Sequence, residues 1–338
     1  MTEFEALLSR YDYSLSPEMV ALEPASPRDS SKVLIYDRKT FEVKIDVFRN
    51  IAKYLPKNAL LVFNDTKVIP ARIPAYLATG RKVGLLCTKF EGPEISALCE
   101  RFLPAGEILS FTKDISGKVI GKTGSEYAIR LNGVESIRSL LLRLGTTPLP
   151  PYLKHSPLSE QERRKKYQTT FAKHEGSIAA PTASLHFTPR VFTSLVKAGI
   201  ETAHVTLHVN LGTFMPLTEE AMQKKELHEE HFEIPQVTLR KIRQARKSER
   251  PIIAVGTTAL RAIESAFAGN RNSTRLFIQE GYDFKAITGL ITNFHVPRSS
   301  LMMLVAALID REKLLELYTF AAKNNFRFFS FGDAMLIL

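Results

Sequence analysis

Between residues 82 and 131 the chain carries five short extended runs, KVGLLCTKF, EISALCE, EILSF, KVIGK and YAIRL, separated by Gly, Pro, Asp and Ser. Short strands broken by turn formers bury an apolar face only by pairing with one another. This stretch therefore predicts a small antiparallel barrel or sandwich. A helix over 134–144 closes it, with Gly145 placed as the cap. The stiff TTPLPPYL that follows marks a boundary.

The flanks have another texture. Upstream, ALLVF at 59–63 is a strong strand running into the polar turn Asn64-Asp65-Thr66. From about residue 152, strands and helices alternate. Thr188-Pro189 opens a helix, Thr as N-cap and Pro at the first helical position, and Gly199 ends it. Ala203, Val205, Leu207 and Val209 then alternate with His204, Thr206, His208 and Asn210, which is a strand with one apolar and one polar face. Residues 250–255 read as a strand, Gly256 as a turn and 257–268 as a helix. A strand over 287–291, a helix from Ser299 or Ser300 to Ile309, a helix over 312–324 and a last strand beginning at RFFSF (327–331) complete the pattern. The expected fold class is α/β (α+β), with an inserted antiparallel β-barrel-like domain. The boundaries fall at 1–69 plus 151–338 for the main domain and 70–150 for the insert.

Of 338 residues, 44% are hydrophobic and 24% charged, which excludes a disordered or fibrous chain. The longest purely apolar run, 301–309, is too short to span a bilayer, so no membrane association is expected. The acidic start MTEFEALLSR does not read as a signal peptide. Cys87 and Cys99 cannot build a disulfide framework or a four-cysteine zinc site, and read as reduced, buried packing residues of a cytoplasmic protein. A net charge of +11 makes a polyanion a plausible partner.

Two motifs are decoys. SGKVIGKT (116–123) resembles a phosphate-binding loop but lacks its first glycine and any following helix. HEEH (228–231) has the wrong spacing for a zinc protease and reads as a charged, partly exposed helix end. No metal site is expected. The chemistry concentrates instead at predicted strand ends, where α/β proteins place ligands. The clusters are Asn64-Asp65-Thr66-Lys67, APTASLHFT (180–188), HVTLHVNLGTF (204–214), GTTALR (256–261) and ITNFHVP (291–297). Taken singly, His186, His208 or His295 suits a satisfied core position, and Thr257 and Thr258 suit helix capping. Taken together, they suit a ligand. Arg261, one helical turn from Thr257 and Thr258, could clamp the same carboxylate with them. A basic stretch, 238–250, carries Arg240, Lys241, Arg243 and Lys247, and reads as either a solvated helix face or an RNA contact.

In this order the clusters resemble one family, the S-adenosylmethionine:tRNA ribosyltransferase-isomerase of queuosine biosynthesis. YDYSLSPEMVALEP (11–24), RDSSKVLIYDR (28–38), LLVFNDTKVIPARI (60–73), PLPPY (148–152), YQTTFA (167–172), AAPTASLHFT (179–188), VTLHVNLGTF (205–214), AVGTTALRAIES (254–265), LITNFHVPRSSLMMLV (290–305) and FRFFSFGDAM (326–335) carry the resemblance. Only the barrel-like region is poorly matched.

The resemblance implies an α/β domain with an inserted β-barrel. It also implies transfer and isomerisation of the ribosyl moiety of S-adenosylmethionine onto an aminomethyl-deazaguanine at the tRNA wobble position. Epoxyqueuosine-tRNA, adenine and methionine result, S-adenosylmethionine is a substrate, and no cofactor is needed. A monomer acting on the modified tRNA is the expected state. Proton transfer then falls to His208 or His186 with Asp65 assisting. Substrate binding falls to Thr182, Thr257, Thr258, Arg261, Asn293 and His295, and tRNA binding to Lys67, Arg72, Arg240, Lys241, Arg243 and Lys247. The chain departs from the family pattern at Ser184 and Asn210 (usually glycine), Lys225 (histidine), His231 (tyrosine), Glu280 (proline), Ala259 (serine) and Lys67 (arginine). These departures leave two alternatives: a non-catalytic tRNA-binding relative, or an S-adenosylmethionine enzyme with another acceptor.

Overall fold

A computed structural model describes residues 2–210 and 217–338. Among the described residues one nine-stranded sheet runs in the order Ser273–Leu276, Glu226–Glu233, Glu201–Leu207, Leu60–Asn64, Ile252–Val255, Gly289–Asn293, Ala334–Ile337, Lys32–Tyr36, Val43–Val47. The four strands from Glu201–Leu207 to Gly289–Asn293 are mutually parallel, so their C-terminal ends share one edge. Ala334–Ile337 pairs antiparallel with Gly289–Asn293, and parallel with Lys32–Tyr36.

The central strand shows why ALLVF is apolar throughout. Leu60 and Val62 pack into the core on one face, Leu61 and Phe63 into the core on the other. A strand covered on both faces needs no polar alternation. In Glu201–Leu207 the alternation is real: Ala203, Val205 and Leu207 enter the first of these cores. On its other face, His204 stacks on Phe63 with ring centres 5.7 Å apart and lies 5.4 Å from the ring of Phe171.

The punctuated region forms a closed antiparallel barrel in the order Glu126–Asn132, Glu94–Cys99, Lys82–Glu91, Arg72–Leu77, Ile108–Ser110, Ser116–Thr123. Closure removes the free edges that so many short strands would otherwise expose. The barrel has its own core, to which Ile137, Leu140 and Leu141 of the helix Ile137–Leu144 contribute. The stretch SGKVIGKT is one of its strands. Of the two cysteines, Cys87 is buried and Cys99 only half-buried.

Several expectations need correction. RFFSF does not begin the last strand: Phe328 makes one isolated bridge to Val20, and the strand is Ala334–Ile337. Between them the chain turns, with Phe329 at φ 69°. A Cβ on Gly332 would lie 2.4 Å from the Arg327 carbonyl oxygen. Asp333 closes this turn by accepting from the Lys32 and Arg327 amides at 2.9 and 2.7 Å. HEEH lies on the strand Glu226–Glu233, not on a helix. Gly145 does follow its helix, but with an extended backbone at φ −75°. Glycine is required there for space, since a Cβ would lie 1.9 Å from the Pro70 carbonyl oxygen.

Candidate active site

The shared strand edge collects most of the residues singled out from the sequence. Asn64, at the end of the central strand, ties three segments together. Its side-chain amide donates to the Leu207 carbonyl at 2.9 Å and to Thr258 Oγ1 at 3.1 Å. Its Oδ1 accepts from the amides of Leu207 and Thr66 at 3.0 and 3.1 Å. Asp65, the next residue, accepts from Thr206 Oγ1 at 2.7 Å and lies 3.8 Å from His174 Nε2.

His208 follows the strand Glu201–Leu207. Its Nδ1 lies 2.8 Å from Thr66 Oγ1, and its ring lines a cleft of about 380 Å³ with His174, Thr206, His231, Glu233 and Arg271. Burial, assisted by the charge of His174, holds its pKa below the ordinary histidine value. The imidazole is therefore neutral near pH 7 and able to accept a proton. The following loop, including Gly212, Thr213 and Phe214 of the sequence cluster, lies outside the described residues.

His186 sits in a second group on the same edge. Asn293 Nδ2 donates to its Nε2 at 3.4 Å, and its Nδ1 meets Ser31 Oγ at 2.8 Å. Thr182 Oγ1 donates to Asn293 Oδ1 at 2.9 Å. Burial pushes the His186 pKa down to about 4. His295 is likewise pushed to about 4 by burial, with Nε2 2.8 Å from Thr292 Oγ1. Both rings are neutral braces whose hydrogen bonds go to the protein.

Between the two groups, Gly256 at φ 90° precedes the helix Thr257–Phe267. Among the described residues no side chain caps this helix, and its first amides there can receive an anion or hydroxyl. Thr257 is buried in this first turn, and Thr258 is held by Asn64. Arg261 is less open than its spacing suggested. It is buried, pairs with Glu230 through Nη1, and donates from Nε to the Leu276 carbonyl at 3.1 Å. Its Nη2 has no partner among the described residues.

The basic residues divide. Lys67 and Arg138 both bind Glu175, at 3.0 and 2.6 Å, and together hold its carboxyl down at about 2. Lys241 pairs with Glu201 at 3.1 Å. Arg240, Arg243 and Lys247 are exposed on the helix Gln236–Lys247, whose Thr238, Ile242 and Ala245 are buried. Thr238 binds the His204 carbonyl and Lys241 the Thr202 carbonyl, so this helix runs back along its strand, away from the edge bearing His208. Arg72 is exposed on a barrel strand. Neither Ser184 nor Asn210 has a left-handed backbone, so neither position demands glycine on that account. The Ser184 hydroxyl is fully buried and has no partner among the described residues.

Thr66 and Thr206 lie inside clusters named from the sequence but carried no assigned role there, and His174, Gly176 and Arg271 had no sequence signal. Gly176 and His174 reach the site because the strand His174–Ser177 pairs in parallel with Thr66–Val68, a contact across more than a hundred residues.

A family model described as queuosine biosynthesis protein matches residues 8–337. The S-adenosylmethionine:tRNA ribosyltransferase-isomerase of Thermotoga maritima is 41% identical over 343 residues, covering 98% of this chain and 99% of its own. The protein of the same name from Carboxydothermus hydrogenoformans is 42% identical over 340 residues, with coverage of 98% and 99%. A crystal structure of S-adenosylmethionine tRNA ribosyltransferase from Thermotoga maritima aligns with a TM-score of 0.56 at 32% identity, covering 97% of this chain and 100% of that one.

Proposed function

The chain belongs to the queuosine biosynthesis protein family, and from that premise we propose how it works as an S-adenosylmethionine:tRNA ribosyltransferase-isomerase. It moves the ribosyl moiety of S-adenosylmethionine onto the aminomethyl-deazaguanine base at the tRNA wobble position. The products are epoxyqueuosine-tRNA, adenine and methionine. The observation that carries the reading, beside the near full-length family match, is a neutral histidine, His208, in a polar cleft at the sheet edge.

The sulfonium acidifies the adjoining ribose carbon. His208 takes that proton, and the electron pair left on carbon starts the rearrangement that expels adenine. The acceptor amine must be neutral to attack. Asp65 acts through Thr206 and His174 rather than on the substrate, since its carboxylate is turned to them. His186 braces Asn293.

Thr257, Thr258 and the open amides of their helix bind the hydroxyls or carboxylate of S-adenosylmethionine. Thr182, Asn293 and His295 shape the same edge, and the unpartnered Nη2 of Arg261 adds a charged donor. S-adenosylmethionine is a substrate, and the reading calls for no cofactor. Arg72, Arg240, Arg243 and Lys247 contribute to the tRNA face, while Lys67 and Lys241 are each paired with a protein carboxylate that also holds an arginine. The protein works as a monomer in the cytoplasm, and no helix among the described residues is long and apolar enough to cross a membrane.

Nucleoside mass spectrometry of modified tRNA, incubated with the protein and S-adenosylmethionine, tests the reading. Conversion of the aminomethyl-deazaguanine nucleoside to epoxyqueuosine supports it. Unchanged nucleoside with folded protein rejects it.

A further inference from the structure

We propose that Thr66 and Gly176 are positioning residues: a buried hydroxyl fixes the tautomer of His208 and a bare backbone fixes its ring plane, so that Nε2 presents a lone pair to the cleft. The proposal rests on the reading of His208 as the base.

The tautomer turns on Thr66. Thr66 Oγ1 lies 2.8 Å from His208 Nδ1 and 3.5 Å from the His174 carbonyl oxygen. In the proposed arrangement the hydroxyl hydrogen goes to the His174 carbonyl, which can only accept, and the hydroxyl oxygen accepts from Nδ1–H. Neutral imidazole has one N–H, so Nε2 is left with the lone pair that a base needs. Thr66 is 0% exposed, so water cannot take over this role. Its amide is tied to Asn64 Oδ1 at 3.1 Å, so the hydroxyl is placed by the central strand of the sheet.

Gly176 sets the plane. A Cβ at this position would lie 3.0 Å from Cε1, 3.0 Å from Nδ1 and 3.1 Å from Nε2 of His208. Near-equal distances to three ring atoms place that Cβ over the imidazole face. Any side chain would push the ring toward the cleft or tilt Nδ1 off Thr66. Gly176 also has φ +144°, which L side chains rarely adopt. Serine or alanine there would meet both penalties. The groups that bear electrostatically on His208 are His174, His231, Asp65 and Glu233, and none of them replaces the Thr66 contact.

The test uses protein labelled with ¹⁵N-histidine and long-range ¹H–¹⁵N correlation spectra at neutral pH. His208 is assigned by its loss in His208→Gln. The expected spectrum has a protonated Nδ1 and an unprotonated Nε2. Thr66→Val should abolish that preference and lower kcat by roughly 10–100-fold, the usual effect of a misplaced catalytic group, while S-adenosylmethionine affinity holds. Thr66→Ser, which keeps the hydroxyl, should restore both tautomer and rate. Gly176→Ala should shift the His208 resonances and lower kcat, with folding followed by melting curves. If Gly176→Ala does not fold, the Thr66 pair decides alone. A protonated Nε2 in the unmutated protein overturns the proposal, as does a Thr66→Val protein with unchanged spectrum and kcat. Unaltered turnover in His208→Gln would instead reject the base assignment, and the spectra separate the two failures.

Discussion

Arg261 and Glu230 form a buried ion pair, 7% and 2% exposed, that joins the helix Thr257–Phe267 to the strand Glu226–Glu233. Arg261 Nε is committed to the Leu276 carbonyl, and among the described residues Nη2 is left over. Removing one partner of such a pair leaves a buried charge uncompensated. Arg261→Ala is therefore expected to lose about 3–5 kcal/mol in urea unfolding. Arg261→Lys keeps the charge beside Glu230 but loses the second prong. It should stay folded and bind S-adenosylmethionine about tenfold more weakly, the equivalent of one charged hydrogen bond. Equal affinity by titration calorimetry would remove Arg261 from the site and leave it a purely structural role.

His186 and His295 make stability depend on pH. Burial lowers each to about 4, below the 6.5 of an unfolded histidine. Between those values the unfolded chain binds protons that the folded chain does not, so stability rises with pH. Their contribution is complete above 6.5 and is lost as pH falls toward 4, at most about 3 kcal/mol apiece. Urea unfolding at pH 7, 6 and 5 checks this. His186→Gln should flatten the slope, and a variant as steep as the unmutated protein would contradict it.

The helix Gln236–Lys247 shows Arg240, Arg243 and Lys247 to solvent, while Lys241 is spent on Glu201. Replacing the three exposed residues by glutamate, with Lys241 untouched, should weaken tRNA binding and reduce the dependence of log Kd on log salt by about 2. An unchanged slope would make this a solvated face.

His208→Gln should lower single-turnover transfer by about 10²–10⁴-fold while melting and S-adenosylmethionine binding stay close to normal. Because the His208 pKa lies below its ordinary value, kcat in the unmutated protein should persist below pH 6.5 before falling as the imidazole gains its proton. Near-normal transfer in the folded variant would end the assignment of His208 as the base.

Periodicity made the sheet and barrel legible. The alternation at Ala203, Val205 and Leu207 set those residues into one core, and the punctuated runs closed into the barrel. It misled at Phe328 and Phe331, where buried aromatics of a turn imitate a strand, and at HEEH, where charge suggested a helix. Site residues at strand ends were legible because a parallel sheet gathers them on one edge. The partners of those residues were not. Glu230 reaches Arg261 across the sheet, and Gly176 reaches His208 through a two-stranded pairing; neither contact has a local signature.

Adenine release under single-turnover conditions reads out transfer from S-adenosylmethionine to the modified wobble base. With enzyme in excess over tRNA carrying the aminomethyl-deazaguanine, one adenine and one methionine should appear per modified tRNA. Neither should appear with tRNA that lacks the modification. Absence of adenine from the folded protein with modified tRNA, or equal release without it, would rule out this transfer.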